Sequence, residues 1–255
     1  MNNYFFVLGA KDPEMQEIAR VLDEQNILYG YASVGGAPVR TSEAYKANGV
    51  NALIPRGSRI VFVECDVIGL FPEEICDHHN EGDPGFGMPP ERYMEGSSLG
   101  QVLKLLGLTP THEQQIIAAA DHCLRHAYAG RCPGVTPEEL ADWRERSRAA
   151  LREISVEELR GRIDAAIEAL KKAPRIRIAD EDVAFFSAAD EKPEEMSEAS
   201  ARTGIPFCYV KYEVNGINKS KIMSAAPRTI KTWMRECKLK DVYGDPERGF
   251  AGGYL

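Results

Sequence analysis

The sequence predicts an α/β protein: a parallel β-sheet domain with flanking helices, a helical connector, and a smaller α+β C-terminal domain. Three observations carry this reading. In the first half, short β-branched and aromatic runs alternate with helix-period segments, the pattern of βαβ units. A charged stretch with two strong helix starts follows. Beyond Arg175 the apolar residues return as alternating or clustered runs joined by a hairpin turn. At 255 residues the chain suits two domains of ordinary size. The boundaries expected are 1–135, 136–174 and 175–255.

Tyr4 to Leu8 is a short apolar run and reads as a buried first strand. Asp12 can cap the helix that follows, with Pro13 at its first position and Ile18, Val21 and Leu22 on one face. Ile27 to Ala32 reads as a second strand, and Gly35-Gly36-Ala37-Pro38 breaks the chain. Arg59 to Glu64 is the cleanest strand and leads to Cys65-Asp66. Glu74-Ile75-Cys76 leads into Asp77-His78-His79. Asn80 to Glu95 is rich in Pro and Gly and reads as a loop. Ser97-Ser98 caps a helix to Leu106, and a further helix runs from Thr111 through Asp121, His122 and His126.

Thr136-Pro137-Glu138-Glu139 and Ser155-Val156-Glu157-Glu158 each open a helix, which makes 136–174 the helical connector. The stretch Asp190 to Ser200 reads as an acidic loop open to proteolysis. Phe207 to Val214, the turn Asn215-Gly216 and Lys221 to Ser224 form a hairpin. Thr229 to Lys238 reads as a helix, and Gly249 to Gly253 as a Gly-rich tail suited to close backbone approach to a ligand.

The net charge of −8 argues against a role in gripping long nucleic acid. The first ten residues lack a basic leader segment, and no apolar run has the length of a membrane span, so a soluble cytoplasmic protein without a membrane partner is expected. The six cysteines form no CxxC pair and are expected to be reduced. A homodimer is compatible with this composition.

In a parallel sheet, ligands bind outside the carboxyl ends of the strands. Asp12 and Glu14, Asp66, and Asp77-His78-His79 each lie just past a strand end. Carboxylates and imidazoles converging from separate elements suit a divalent metal. Taken singly, each also has an ordinary structural role: Asp12 as a helix cap, Glu14 as a first-turn acid, Asp66 and Asp121 as solvated acids. The basic residues Lys219, Lys221, Arg228, Lys231, Arg235, Lys238 and Lys240 form either a solvated face or a phosphate grip.

Asp77-His78-His79 after a short strand, with Ser97-Ser98 opening a later helix, resembles the signature of the DHH phosphoesterases. Asp12-Pro13-Glu14 resembles that family's first motif with Glu in its second place, Asp66 its second, and Asp121 its fourth aspartate. Ser224, Arg228 and Gly249 to Gly253 resemble its small C-terminal DHHA1 domain. The resemblance implies a DHH-like catalytic domain over 1–135 and a DHHA1-like substrate-binding domain over 175–255. It implies Mn²⁺, or Mg²⁺ or another divalent metal, held by Asp12, Glu14, Asp66, His78 and Asp121. Asp77, His78 and His79 would be catalytic, and Arg228, Arg248, Gly249, Gly252 and Gly253 would hold the substrate. The expected activity is hydrolysis of a phosphoester or phosphodiester bond in a small nucleotide: a short oligonucleotide, a cyclic dinucleotide or a mononucleotide. One departure favours an alternative, a catalytically degenerate nucleotide-binding protein. Leu8-Gly9-Ala10-Lys11 lacks the histidine with which the family's first motif begins. Glu14, His122 or His126 would then rebuild the site.

Overall fold

The computed structural model describes residues 3–190, 193–214 and 216–255. Asn215 of the expected hairpin turn and Glu191 and Lys192 of the expected acidic loop lie outside the described residues. The chain divides into two compact units, Met1–His122 and Cys123–Leu255.

The first unit holds strands β1 (Tyr4–Leu8), β2 (Leu28–Val34), β3 (Ala37–Pro38), β4 (Gly49–Val50), β5 (Arg59–Val63) and β6 (Glu74–Cys76). Its α-helices are α1 (Pro13–Glu24), α2 (Tyr93–Gly96), α3 (Ser98–Leu106) and α4 (His112–His122). The sheet order is β3-β2-β1-β5-β6, with β4 paired to β2. The central pairs β1–β2, β1–β5 and β5–β6 are parallel. β1 is apolar along its whole length because both of its faces are covered. Phe5 and Val7 pack with Ala32, Phe62 and Val67 on one face, and Phe6 and Leu8 alternate to the other. α1 begins where its sequence signals say: Asp12 Oδ1 accepts from the Met15 amide at 2.8 Å, and Pro13 needs no intrahelical partner. Part of the expected loop before Ser97 is ordered as α2 and the short 3₁₀ turn Pro90–Arg92.

β1, β5 and β6 end side by side, so the segments after Leu8, Val63 and Cys76 emerge at one edge. They are locked together there. The Gly9 amide donates to the Val63 carbonyl at 2.9 Å, and the Glu64 amide to the Cys76 carbonyl at 3.2 Å. A Cβ on Gly9 would lie 2.3 Å from the Glu64 carbonyl oxygen. Gly9→Ala is therefore expected to cost about 1–3 kcal/mol, an overpacking effect against backbone that cannot give way. A urea melt measures it, and an unchanged midpoint would contradict the contact.

The second unit holds α5 (Leu124–Tyr128), α6 (Pro137–Arg152), α7 (Val156–Lys172), α8 (Met196–Thr203) and α9 (Pro227–Glu236). Its strands are β7 (Arg175–Ile178), β8 (Glu181–Phe186), β9 (Phe207–Val214), β10 (Ile217–Met223), β11 (Lys240–Asp245) and β12 (Phe250–Tyr254). They form one sheet in the order β11-β12-β10-β9-β8-β7, antiparallel except for the β8–β9 pair.

The helices expected to connect two domains form as predicted, but they belong to this unit. α7 carries an apolar stripe, Leu159, Ile163, Ala166 and Leu170, and such a stripe must be covered. Ala166 and Leu170 pack with Phe186, Phe207 and Tyr209 of the sheet and Met196 and Ala199 of α8. The charge density that suggested a solvated connector is partly internal. Arg144 lies 2.6 Å from Glu198, and Arg202 reaches Glu198 at 3.0 Å and Glu145 at 2.9 Å. The unit boundary accordingly falls at His122/Cys123 rather than at residue 135. α8 likewise replaces the end of the expected acidic loop, because Met196 and Ala199 enter the core.

The Gly-rich tail is a strand. β12 pairs with both β10 and β11, so it lies inside the sheet. A Cβ on Gly252 would meet the Tyr243 hydroxyl at 2.6 Å, and one on Gly253 would meet Leu239 Cβ at 2.8 Å. Those two glycines make room for side chains of their own unit. Among the described residues, no helix is long and apolar enough to cross a membrane.

Candidate metal centre

The first unit gathers four ligand-type side chains at the carboxyl edge of its sheet. Glu14 comes from the first turn of α1, Glu64 from the residue after β5, His78 from the segment after β6, and Asp121 from the end of α4. One ligand atom from each lies within 4.8 Å of all the others. Glu64, His78 and His79 form a second, overlapping group.

Each side chain is aimed by a specific contact. Glu14 Oε1 accepts from the Leu99 amide at 3.0 Å. Its Oε2 is buried without a hydrogen-bond partner among the described residues. Glu64 Oε1 accepts from the Ser98 hydroxyl at 2.8 Å. Glu64 has a positive φ of 49°, a left-handed geometry that departs from the strand it ends. His78 is fully buried, and its Nδ1 lies 3.1 Å from the Gly96 carbonyl. That contact calls for the proton on Nδ1, so the neutral ring would offer the Nε2 lone pair to a cation. Nε2 is 3.1 Å from Asp121 Oδ2 and 3.6 Å from Glu64 Oε1.

Asp77 plays a different part. Its carboxylate accepts from the amides of His78 at 2.7 Å and His79 at 3.0 Å and from the Tyr45 hydroxyl at 2.9–3.0 Å. Burial alone would raise its pKa; the bonds from His79 and Tyr45 outweigh burial and hold it below the usual carboxylate range. Gln101 fixes the same segment, accepting from the Asp77 amide at 3.1 Å and donating to the Asp77 carbonyl at 3.1 Å. Asp77 thus orients the two histidines, and it is in neither ligand group. His79 Nδ1 lies 3.2 Å from Asp77 Oδ1 and 3.9 Å from Glu64 Oε1.

The carboxyls of the cluster crowd one another. Burial, the Asp121 charge and the Glu64 charge push the Glu14 carboxyl well up. Burial pushes Glu64 up to about 8, with Asp121 and Asp12 adding to it against the pull of His79. Asp12 rises to about 6 through burial and the Asp121 charge. Carboxylates this close, with a buried oxygen that no donor meets and one imidazole lone pair, fit a hard or borderline divalent cation.

The set differs from the expected one at a key position. Asp66 is exposed and is in neither group; Glu64 stands in its place. β5 ends at Val63, and the left-handed turn at Glu64 carries that side chain into the site while Asp66 moves to the surface. Asp12 is adjacent to the cluster by its charge but uses Oδ1 as a helix cap. His122 and His126 are on different helices, because α4 stops at His122 and α5 starts at Leu124. The His122 ring lies beside His78 at a centroid distance of 5.3 Å, tilted by 51°, with Nε2 on the Met88 carbonyl at 2.9 Å. His126 Nε2 lies on the Glu247 carbonyl at 3.2 Å. Tyr45 and Gln101 were not signalled by the sequence at all.

The expected substrate residues are all in the second unit. Arg228 is an exposed partner of Asp180. The Arg248 guanidinium lies 5.4 Å over the Phe250 ring. Gly249 has φ of 77°, and a Cβ there would lie 2.9 Å from the Ala225 carbonyl.

No protein-family model matches the chain, and no curated protein matches it. Among solved structures, the chain is similar to one described as "pGpG-specific phosphodiesterase - PggH from Vibrio cholrae". That similarity covers 100% of this chain and 93% of the other, at 8% sequence identity and a TM-score of 0.44. A likeness so distant assigns no activity, and the chemistry of this chain rests on its own residues.

Proposed function

We propose that the first unit is a divalent-metal phosphoesterase centre of the DHH type, acting on a small nucleotide phosphoester or phosphodiester. The observation that carries the reading is the convergence of Glu14, Glu64, His78 and Asp121 at the carboxyl edge of the parallel sheet. Those four residues would hold the metal, with Mn²⁺ the cation proposed. When bound, such an ion neutralises phosphate charge and lowers the pKa of water. The chain's own residues supply the rest. Asp77 and Tyr45 fix the His79 ring, which is half-buried beside the ligands and suited to steadying negative charge on a phosphate. Ser98 and the Leu99 amide hold Glu64 and Glu14 in place.

The test is metal content of the purified protein together with Mn²⁺-dependent hydrolysis of a generic aryl phosphodiester. His78→Ala is expected to reduce turnover at least about a hundredfold without unfolding the protein, since it removes a buried ligand. Wild-type turnover in that variant, with its circular dichroism unchanged, would end the proposal.

The second reading, a nucleotide-binding protein without hydrolysis, has one observation behind it. Leu8-Gly9-Ala10-Lys11 carries no histidine where the family motif begins with one, and the Lys11 Nζ lies 4.8 Å over the Tyr31 ring. Metal and nucleotide bound with no turnover would decide for it.

We assign substrate binding to the second unit through Arg248, with Arg228 as an exposed auxiliary. Arg248→Ala is expected to weaken equilibrium binding of a mononucleotide about tenfold, the loss of one charge-assisted hydrogen bond. Metal content stays unchanged. Unaltered nucleotide affinity would remove Arg248 from the binding surface.

A further inference from the structure

Six cysteines outside any disulfide are distributed through the protein, and two of them meet. Cys123 Sγ and Cys132 Sγ lie 3.2 Å apart, both buried. The other sulfurs with close partners face carbonyls: Cys65 on Val7 at 3.3 Å and Cys237 on Met234 at 3.6 Å.

The surrounding backbone holds this pair. Cys123 is the N-cap of α5, with φ −150° and ψ 50°, outside helical geometry and making no side-chain cap bond. Its carbonyl accepts from the Ala127 amide at 2.9 Å. The chain then turns at Gly130, with φ of 70°, and the Cys132 carbonyl accepts from the Val135 amide at 3.2 Å. Both residues are thus anchored while their thiols point at each other. A disulfide has an S–S length of about 2.05 Å, so the sulfurs need to approach by only roughly 1 Å. Burial of both favours closure onto each other over a lasting bond to a second molecule.

We propose that Cys123 and Cys132 are a redox modification site, converted to an intramolecular disulfide by exchange with a small-molecule disulfide. The steps balance. One thiol, after losing its proton, attacks a sulfur of the external disulfide and releases one external thiol. The second protein thiol then attacks the mixed disulfide and releases the other. The protein pair loses two protons and two electrons, and the external disulfide gains them. Local opening of α5, a helix of five residues, provides access.

The full chain, freed of metal, is held to equilibrium in excess glutathione disulfide, then alkylated and mapped by mass spectrometry. The expected protein has lost the mass of two hydrogens, retains four alkylatable thiols of its six, and yields one Cys123–Cys132 linked peptide. Its melting temperature rises by about 5 °C, the order expected for closing a short loop, and dithiothreitol reverses the change. Cys132→Ser shows neither the mass loss nor the rise. Six alkylatable thiols at equilibrium, a lasting glutathione adduct on either residue of the wild type, or a link to another cysteine would each overturn the proposal. The wild-type mass decides this whether or not the variant folds.

Discussion

Replacing Glu64 by Gln is expected to lower Mn²⁺ affinity by about a hundredfold or more and to stop Mn²⁺-dependent hydrolysis, whereas Asp66→Asn leaves both unchanged. Glu64 is shared by both ligand groups, and Asp66 is in neither. Gln keeps the volume and the bond from Ser98 but removes the charge that a cation needs. A second signature separates this from simple unfolding. In the metal-free protein Glu64 is a buried acid crowded by Asp121 and Asp12, so removing its charge relieves repulsion. Metal-free Glu64→Gln is therefore expected to melt above the metal-free wild type at pH 8, while gaining little from Mn²⁺. Calorimetry and thermal melts measure the two effects. Loss of metal in Asp66→Asn, or its retention in Glu64→Gln, would show that the centre lies elsewhere.

The stability of the metal-free protein is expected to fall as pH rises across the neutral range, and Mn²⁺ to restore it. The sign follows from the carboxyls. Glu64 has an ordinary value of 4.5 and rises to about 8 in the fold, and Glu14 is raised as well. A group whose folded pKa is raised holds its proton more tightly in the folded state. Its contribution is full below the unfolded value and is lost as pH climbs toward the folded one. The window is therefore from about 4.5 to about 8. One pKa unit is about 1.4 kcal/mol, so the loss amounts to a few kcal/mol. A bound divalent cation reverses the preference by stabilising the ionised carboxylates. Mn²⁺ should raise the melting temperature by about 5–10 °C at pH 8 and by much less at pH 5, where protons compete for the ligands. Equal shifts at both pH values would mean that the cation binds outside this cluster.

Much of the sheet was legible because strand and cap signals are local. Tyr4–Leu8 and its Asp12-Pro13 helix start can be read directly from the chain. The site was legible only in part. Asp77-His78-His79 marks the place, but nothing in Arg59 to Asp66 tells whether Glu64 or Asp66 turns inward. That choice is made by a left-handed residue packed against Gly9, sixty-four residues into a chain whose partner strand begins at Tyr4. Tyr45 and Gln101 escape sequence reading for the same reason: their partner, Asp77, is distant in the chain, and neither residue type announces a second-layer role. The 136–174 helices read as a connector because composition counts their charges as solvated, whereas charged residues on α6 and α8 pair with one another inside the second unit.

The first turn of α3 sits against the carboxylates of the centre through Ser98 and Leu99, while Ser97 closes that helix end by accepting from the Gly100 amide. A helix begins with the positive end of its macrodipole, worth about 0.3–1 kcal/mol to a nearby anion. The acidic residues thus have a permanent counter-field of peptide origin before any ion arrives. The candidate centre is assembled without an ion, and a cation bound there would exchange for protons in a finished cradle rather than drive a folding event.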